Sequence, residues 1–254
     1  MSIPLRGPIK AGIKPAHILL ARALIAIQFS PVFKIADVSG AGIATFQDAV
    51  RKDYPTVRYE IEKSIQLNVV DSEIKPNIQE HPVWRFLDTE EKWRVSLTRE
   101  TISIETTEGY QTRQDFRSRM QTLVASVAEH FQPAQATRVG VRYLNTADSR
   151  RFKKIFKTCR TELIPFGKED DLVQSNSFWR FDCDEGNVLL RAGIIPIGET
   201  HDPAFLDPVE GQTWVLDIDV VKRDALDFNA DSLFGHIDAQ VERAHAIFSW
   251  AIPA

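Results

Sequence analysis

The chain is poor in cysteine, with two in 254 residues, Cys159 and Cys183. They stand far apart in unrelated contexts, form no CxxC and belong to no metal-spaced set. That excludes a disulfide framework and leaves two ordinary semi-buried thiols in a reducing compartment as the expectation. A surplus of positive charge is also missing. Lys and Arg total 31 against 35 Asp and Glu, for a net charge of -4. A dedicated nucleic-acid binder is usually basic, so nucleic acid is disfavoured as a partner, although a local basic face could hide in the average. No long apolar run exists either. The stretch from Ile18 to Phe29 is broken by Arg22 and Gln28, whereas a bilayer span takes about 20 apolar residues. Residues 1–14 carry Arg6, Lys10 and Lys14 among prolines and lack the apolar centre of a secretory leader. A soluble cytoplasmic protein without membrane contact is expected.

Catalytic signatures are absent too. Six histidines (His17, His81, His130, His201, His236 and His245) are scattered, and none gives an HExxH pair. His201-Asp202 is a lone His-Asp dipeptide without metal-ligand companions. Ser39-Gly40-Ala41-Gly42 precedes a helical stretch but has neither the Walker lysine nor the full GxGxxG, so it reads as a flexible helix start. No serine or cysteine has a nucleophile-elbow context. Asp217 and Asp219 share one face of a strand ~7 Å apart. They could hold a metal or share a proton, yet nothing at supporting spacing joins them, and aspartates facing arginines explain them equally well. No catalytic, cofactor-binding or metal-ligating residue is assigned, and no cofactor is expected.

What the sequence does contain is an echo. Val83-Trp84-Arg85-Phe86-Leu87-Asp88 returns about 95 positions later as Phe178-Trp179-Arg180-Phe181-Asp182, a separation that suits a repeated half-domain rather than a solenoid turn. The flanks echo as well. Residues 16–30 read as a buried strand, with a helix as the alternative for the alanine-rich centre. Ser39 to Asp53 reads as a helix closed by Pro55, and Thr56 to Val70 as a long strand. Trp93, Val95 and Leu97 alternate with Arg94, Ser96 and Thr98 as a half-buried strand does, and Thr101 to Thr107 continues the pattern. Thr112 is a plausible N-cap for a helix whose apolar stripe is Phe116, Met120, Leu123, Val127 and Phe131, with Pro133 beyond its end. The order then restarts: a strand over Ala136–Asn145, a short basic helix over Ser149–Thr158, a poorly patterned stretch at 162–173, strands over Phe178–Cys183, Val188–Ile197 and Thr213–Val221, and a final helix capped by Asp231 with Phe234, Ile237, Val241, Ala244 and Phe248 on one face.

Each half thus reads strand, helix, four strands, helix, with the weakest strand at 162–173. The expectation is an α+β protein of two pseudo-repeat halves, 1–134 and 135–254, packed as one domain. They would form one curved antiparallel sheet with the helices on one side and the other side open. Element order alone is similar to the saddle of TATA-binding-protein-like and helix-grip folds, an analogy of fold and not of function. Three segments carry a family likeness: Val83–Asp88 with Trp93-Arg94-Val95-Ser96-Leu97-Thr98, then Arg138-Val139-Gly140-Val141-Arg142-Tyr143-Leu144-Asn145, then Leu216-Asp217-Ile218-Asp219. With an early apolar strand and a C-terminal helix ending Phe-Ser-Trp-Ala, they resemble the prokaryotic "sporadically distributed protein" family. The resemblance covers most of the chain but brings no established activity and no catalytic residue. The family's patchy distribution implies horizontal transfer, as in defence or toxin–antitoxin loci.

Arginines recur on the strands: Arg22, Arg85, Arg94, Arg138, Arg142, Arg180 and Arg191. Arg85, Arg94, Arg138, Arg142 and Arg180 are the candidate anion or partner surface on the open face of the sheet. The competing reading is cross-strand pairing with Glu60, Glu62, Glu105, Asp182, Asp217 and Asp219, at about 0.2–1 kcal/mol a pair. Pairing is expected for most, with Arg138 and Arg142 the exceptions because Gly140 between them leaves room for a ligand. The four strand tryptophans, Trp84, Trp93, Trp179 and Trp214, are expected in the core rather than as base-stacking platforms. A non-enzymatic binding or adaptor protein with a protein partner follows, and a homodimer stays open. The alternatives are a small-molecule or nucleotide module with a cavity between sheet and helices, and a nucleic-acid-binding saddle.

Overall fold

A computed structural model describes residues 2–7, 19–70, 73–166, 169 and 171–253; for 64–70, 73–78 and Lys153 it describes the backbone alone. The first half of the chain begins with strand β1 (Leu20–Phe29), a 3-10 turn at Ala41–Ile43 and helix α1 (Ala44–Val50). It continues with β2 (Thr56–Val70), β3 (Glu73–Leu87), β4 (Trp93–Thr98), β5 (Thr101–Thr106) and α2 (Arg113–Phe131). The second half has β6 (Ala136–Asp148), α3 (Ser149–Thr158), β7 (Ser175–Cys183), β8 (Gly186–Ile195), β9 (Thr213–Lys222) and α4 (Ala230–Ala251). The nine strands form one antiparallel sheet in the hydrogen-bonded order β2-β3-β4-β5-β1-β6-β9-β8-β7. The expected α+β class is therefore met.

The strand in residues 16–30 is resolved by its side chains. Ala23, Ile25, Ile27 and Phe29 are buried on one face of β1, and β-branched residues at alternate positions suit a pleated strand better than a helix. The helix expected over 39–53 is shorter. Gly40 sits in the left-handed region at φ 76, and a Cβ on Gly42 would lie 1.8 Å from the carbonyl oxygen of Lys34. These glycines make a tight turn against the preceding backbone, so only 44–50 is left for the α-helix. β3 is longer than Val83–Asp88 because its register with β2 is continuous from Thr56↔Leu87 to Val70↔Glu73. Pro76 and Pro82 lie outside the stretch that pairs with β4, Trp84↔Leu97 to Leu87↔Arg94. A proline nitrogen can face outward where a strand has one ladder.

The second half departs from expectation at 162–173. A 3-10 turn at Thr161–Leu163 leads into turns and irregular chain, and the described residues there form no strand. Three strands rather than four therefore follow α3. β3-β4-β5 is a meander whose last strand neighbours β1, and β7-β8-β9 is a meander whose last strand neighbours β6, with β2 the extra strand of the first half.

Two compact units emerge, one of residues 26–137 and 225–230, the other of residues 1–25, 138–224 and 231–254. In the first, the backbone N–H of Asp115 donates to the Thr112 hydroxyl at the start of α2 (3.0 Å), the expected cap. The stripe from Phe116 to Phe131 is buried, with Phe116 against the Trp93 ring at 5.6 Å. In the second, α4 buries Phe234, Ile237, Val241, Ala244 and Phe248, and Gln240 donates to the Val139 carbonyl of β6 (3.1 Å). α4 begins one residue before Asp231, which lies in its first turn where the helix dipole favours an anion. Each long helix thus covers the apolar face of its strands and leaves the arginine-bearing positions on the other face.

Candidate functional site

In the unit of residues 26–137, strand register dictates the arginine contacts. Arg85 lies between Arg58 of β2 and Ser96 of β4. Its Nε donates to Glu60 (3.2 Å), and its two terminal nitrogens donate to Glu62 and the Ser96 hydroxyl. Arg94 stands directly opposite Glu105 on β5 and donates to it through Nε. Both are cross-strand pairs of the expected kind. The Arg85 side chain is 13% exposed, but Glu60 and Glu62 are 47% and 56% exposed. The pairs therefore stay in contact with water.

The other unit is different. The β8–β9 loop, residues 196–212, closes on itself through Gly198 N to Val209 O and Val209 N to Glu199 O, both 2.8 Å. It places Phe205 in an apolar cluster with Leu144, Ile195 and Val215, packed against Leu24, Leu206 and Val209. The Phe205 ring lies 4.2 Å from the Arg142 guanidinium carbon and 5.3 Å from that of Arg22. Beneath it Arg142 makes a two-point bond to Asp217, Nε to Oδ1 at 2.9 Å and Nη2 to Oδ2 at 2.7 Å, and Nη2 also reaches Asp202 at 2.8 Å. His201 Nε2 stands 3.1 Å from the same Asp217 Oδ2, and Arg191 Nη1 is 3.9 Å away. The Asp217 side chain is 3% exposed.

Arg142 is therefore paired, contrary to expectation. The loop folds back over its strand and delivers Asp202 and His201, which strand alternation cannot reveal. Arg138 corrects the second exception. Its own guanidinium lies along the strand over Gly140, with Nη2 3.4 Å from where a Cβ would stand. The room left by Gly140 is filled from within the strand. Arg138 is 3.8 Å from Asp219, a looser pair. Three arginines (138, 142 and 191) thus face three aspartates (202, 217 and 219), with the exposed Arg223 beside Arg138. Arg138, Arg142 and Arg191 each have an aspartate within 4 Å.

Protonation follows this geometry. Burial would push the Asp217 carboxyl up, but the bonds from His201 and Arg142 outweigh it and hold the group below its ordinary value. Asp219 goes the other way: burial raises it, and the more distant Arg138 and Arg142 only partly compensate. Burial lowers Arg138, and Arg223 and Arg142 reinforce that against Asp219. Asp217 and Asp219 are therefore not an equivalent carboxylate pair. No three His, Cys, Asp or Glu side chains among the described residues are grouped as a metal site requires. Burial, with a smaller push from the Glu162 charge, raises the Cys159 thiol to about 12 despite a backbone hydrogen bond from Arg160, so it is inert at neutral pH.

Arg180 does not follow the pairing pattern seen at Arg85. It donates to the amide oxygen of Asn187 (2.8 Å), and Asn187 in turn donates to Asp182 (2.6 Å). Its strand, β7, is the last in the sheet order and has β8 as its neighbour. Along β7 exposure alternates, with Phe178, Arg180 and Asp182 exposed on one face and Trp179 and Phe181 half-buried on the other. Phe178 is 56% exposed, with the Arg191 guanidinium 5.3 Å from its ring. The remaining strand tryptophans are core residues: Trp84 is 8%, Trp93 4% and Trp214 0% exposed. Among the described residues no helix is long and apolar enough to cross a membrane. No family model matches the chain, and no curated protein matches it.

Proposed function

We propose that this protein is a non-enzymatic binding module that takes an extended segment of a protein partner along β7. The observation that carries this reading is the character of that edge. Sheet edges are normally blunted by prolines, lysines, bulges or short length, because unpaired backbone groups template association. β7 has none of these. It runs nine residues without a bulge, Ser175↔Ile194 through Cys183↔Gly186, and contains no proline or lysine. It displays an exposed phenylalanine with two half-buried aromatics behind it. Strand addition draws affinity from such backbone groups and specificity from alternate side chains. The pairing of Arg85, Arg94, Arg138 and Arg142 with carboxylates favours this reading over the nucleic-acid one.

A small-molecule reading has one observation in its favour. A polar cleft of about 720 Å³ lies beside the β4–β5 turn, lined by Gln28, Thr98, Arg99, Glu100, Thr101 and the 79–82 stretch of β3. Charged and polar residues supply most of its lining, beside Ala36 and Pro82, whereas small-molecule sites are lined mainly by apolar side chains.

The partner reading is tested by selecting peptides from a displayed random library with wild type and with Phe178→Lys, then mapping amide hydrogen exchange. Selected peptides are expected to protect β7 amides and to bind Phe178→Lys at least about tenfold more weakly, since a lysine guards an edge. Peptides that protect other strands and ignore the substitution would sink the proposal.

A further inference from the structure

The charged side chains of β7 are Arg180 and Asp182, both exposed on the face that carries Phe178. On the inner strands Arg85, Arg94, Arg138 and Arg142 each have a carboxylate in reach. Arg180 instead spends one nitrogen on the Asn187 amide, whose own N–H goes to Asp182. Among the described residues neither charge has an oppositely charged side chain within 4 Å. The backbone of β7 is equally well defined. Its turn to β8 holds Asp184 and Glu185 between the paired Cys183 and Gly186. The pair that closes a two-residue hairpin exchanges both backbone hydrogen bonds. Odd-numbered residues of β7 therefore turn N–H and C=O to β8, and Asn176, Phe178, Arg180 and Asp182 send theirs outward. The Ile194 N–H agrees, pointing at β7 opposite Ser175 and donating to its hydroxyl at 3.1 Å.

We infer that the partner of β7 is β7 of a second copy of this chain, joined antiparallel about a twofold axis at Phe181, with Arg180 of each copy facing Asp182 of the other. This rests on the reading of β7 as a partner edge and names the occupant. Outward-facing backbone groups must meet outward-facing ones, so even-numbered residues pair with even-numbered residues and the axis passes through a residue. Charge then chooses among the positions. An axis at Arg180 sets arginine against arginine, and one at Asp182 sets aspartate against aspartate; like charges directly opposite are destabilising. An axis at Trp179 sets Arg180 against Phe178 and Asp182 against Asn176 and leaves both charges unmatched. The axis at Phe181 alone makes two Arg180–Asp182 pairs. It also sets the two Phe181 rings against each other at a non-hydrogen-bonded position, where side chains lie closest. The ladder spans residues 179–183 of each copy, and an interface of that size is weak, with Kd on the order of 10–100 μM. Unfolding followed below that concentration reports the monomer.

Charge exchange tests this on the full chain. Sedimentation equilibrium at low salt, up to about 1 mM protein, is run on wild type, Arg180→Asp, Asp182→Arg, an equimolar mixture of the two variants, and the double variant Arg180→Asp with Asp182→Arg. Both side chains are exposed, so the variants should fold. Wild type should dimerise with concentration, and raising the concentration should slow exchange of the Arg180 and Asp182 amides. Each single variant sets like charges opposite each other twice and should dimerise at least about tenfold more weakly. The mixture should associate as a heterodimer and the double variant as a homodimer, because both restore opposite charges at every pair. A wild type that stays monomeric overturns the inference. So does a dimer that ignores the single variants, or single variants that the mixture fails to rescue. Selected peptides that protect β7 amides in a monomeric wild type sink the second copy alone and leave strand addition standing. A monomer whose β7 amides no peptide protects sinks both.

Discussion

The tripeptide Trp-Arg-Phe occurs twice, on β3 and on β7, and its two copies live in different surroundings. On β3, Trp84 is 8% and Phe86 0% exposed; the indole N–H of Trp84 donates to the Ile35 carbonyl (2.9 Å), and Arg85 is held by two glutamates and a serine. On β7, Trp179 and Phe181 are only half-buried and Arg180 meets an amide. What separates the copies is β2. β3 has strands on both sides, one of them bearing Glu60 and Glu62 at Arg85, while β7 ends the sheet. A residue pattern thus specifies a strand and its face, and the neighbouring strands decide whether that strand becomes core or surface.

The largest effect that sharpens this contrast is aromatic truncation. Phe86→Ala should lower stability by about 3–5 kcal/mol, the range for emptying a filled aromatic site. Phe86 stacks edge-on with Phe46 at 5.4 Å, which adds to the loss. Phe181→Ala, half-buried at an edge, should cost at most about 1–2 kcal/mol. Equal losses in urea unfolding of the two variants would show β7 to be as enclosed as β3 and would break the comparison.

Arginine pairs offer a second contrast, between an enclosed pair and an open one. Arg142→Ala removes the two-point partner of the 3% exposed Asp217 and leaves it His201 and the more distant Arg191, so the loss should fall toward the lower end of the about 3–5 kcal/mol that removing one partner of a buried pair costs. The pH dependence carries the sign. Asp217's folded carboxyl lies below its ordinary value, so its contribution is full above the unfolded value of about 3.9 and fades as pH falls through the lower folded value. Asp217→Asn should therefore be less stable than wild type at pH 7, with the gap closing below about pH 4. Asp219 is raised, so its ionisation opposes folding as pH rises, and Asp219→Asn should not reproduce that gap. An Asp217→Asn gap that widens in acid would overturn the assignment.

Most of the architecture was legible because it is local. Alternation at Trp93–Thr98 and the stripes of 113–131 and 230–251 specify strands and helices wherever they pack. Arg85 with Glu60 and Glu62, and Arg94 with Glu105, were also within reach, since cross-strand pairing joins residues of one face. The Arg142 cluster was only half legible. Its Asp217 partner lies on a neighbouring strand, but His201, Asp202 and Phe205 come from a loop whose path no periodicity encodes. The one sequence signal for it was the His201-Asp202 dipeptide beside Pro203, which reads as a turn. The bonds of Arg243 to Glu185 and to the Pro4 and Gly7 carbonyls were illegible, because a charge in the C-terminal helix and a segment of residues 2–7 share no pattern until the chain folds.

The smallest expected effect is also the most discriminating, because it sets Arg85 directly against Arg180. Arg85 holds two exposed glutamates and the Ser96 hydroxyl, so Arg85→Ala should lower stability by about 1 kcal/mol, the upper end for a water-exposed pair. Arg180 holds a neutral amide on an exposed edge. A neutral partner gives less than a charged one, and an unbound Asn187 can turn to water without penalty, so Arg180→Ala should change stability by no more than about 0.5 kcal/mol. Salt separates the two further. The Arg85 loss should shrink between 0.05 and 0.5 M sodium chloride, because screening removes ion-pair energy, while the Arg180 value stays flat. If Arg180→Ala is the more damaging, or if its effect is the one that salt erases, β7 is held by charge in the folded protein and is not an open edge awaiting a partner.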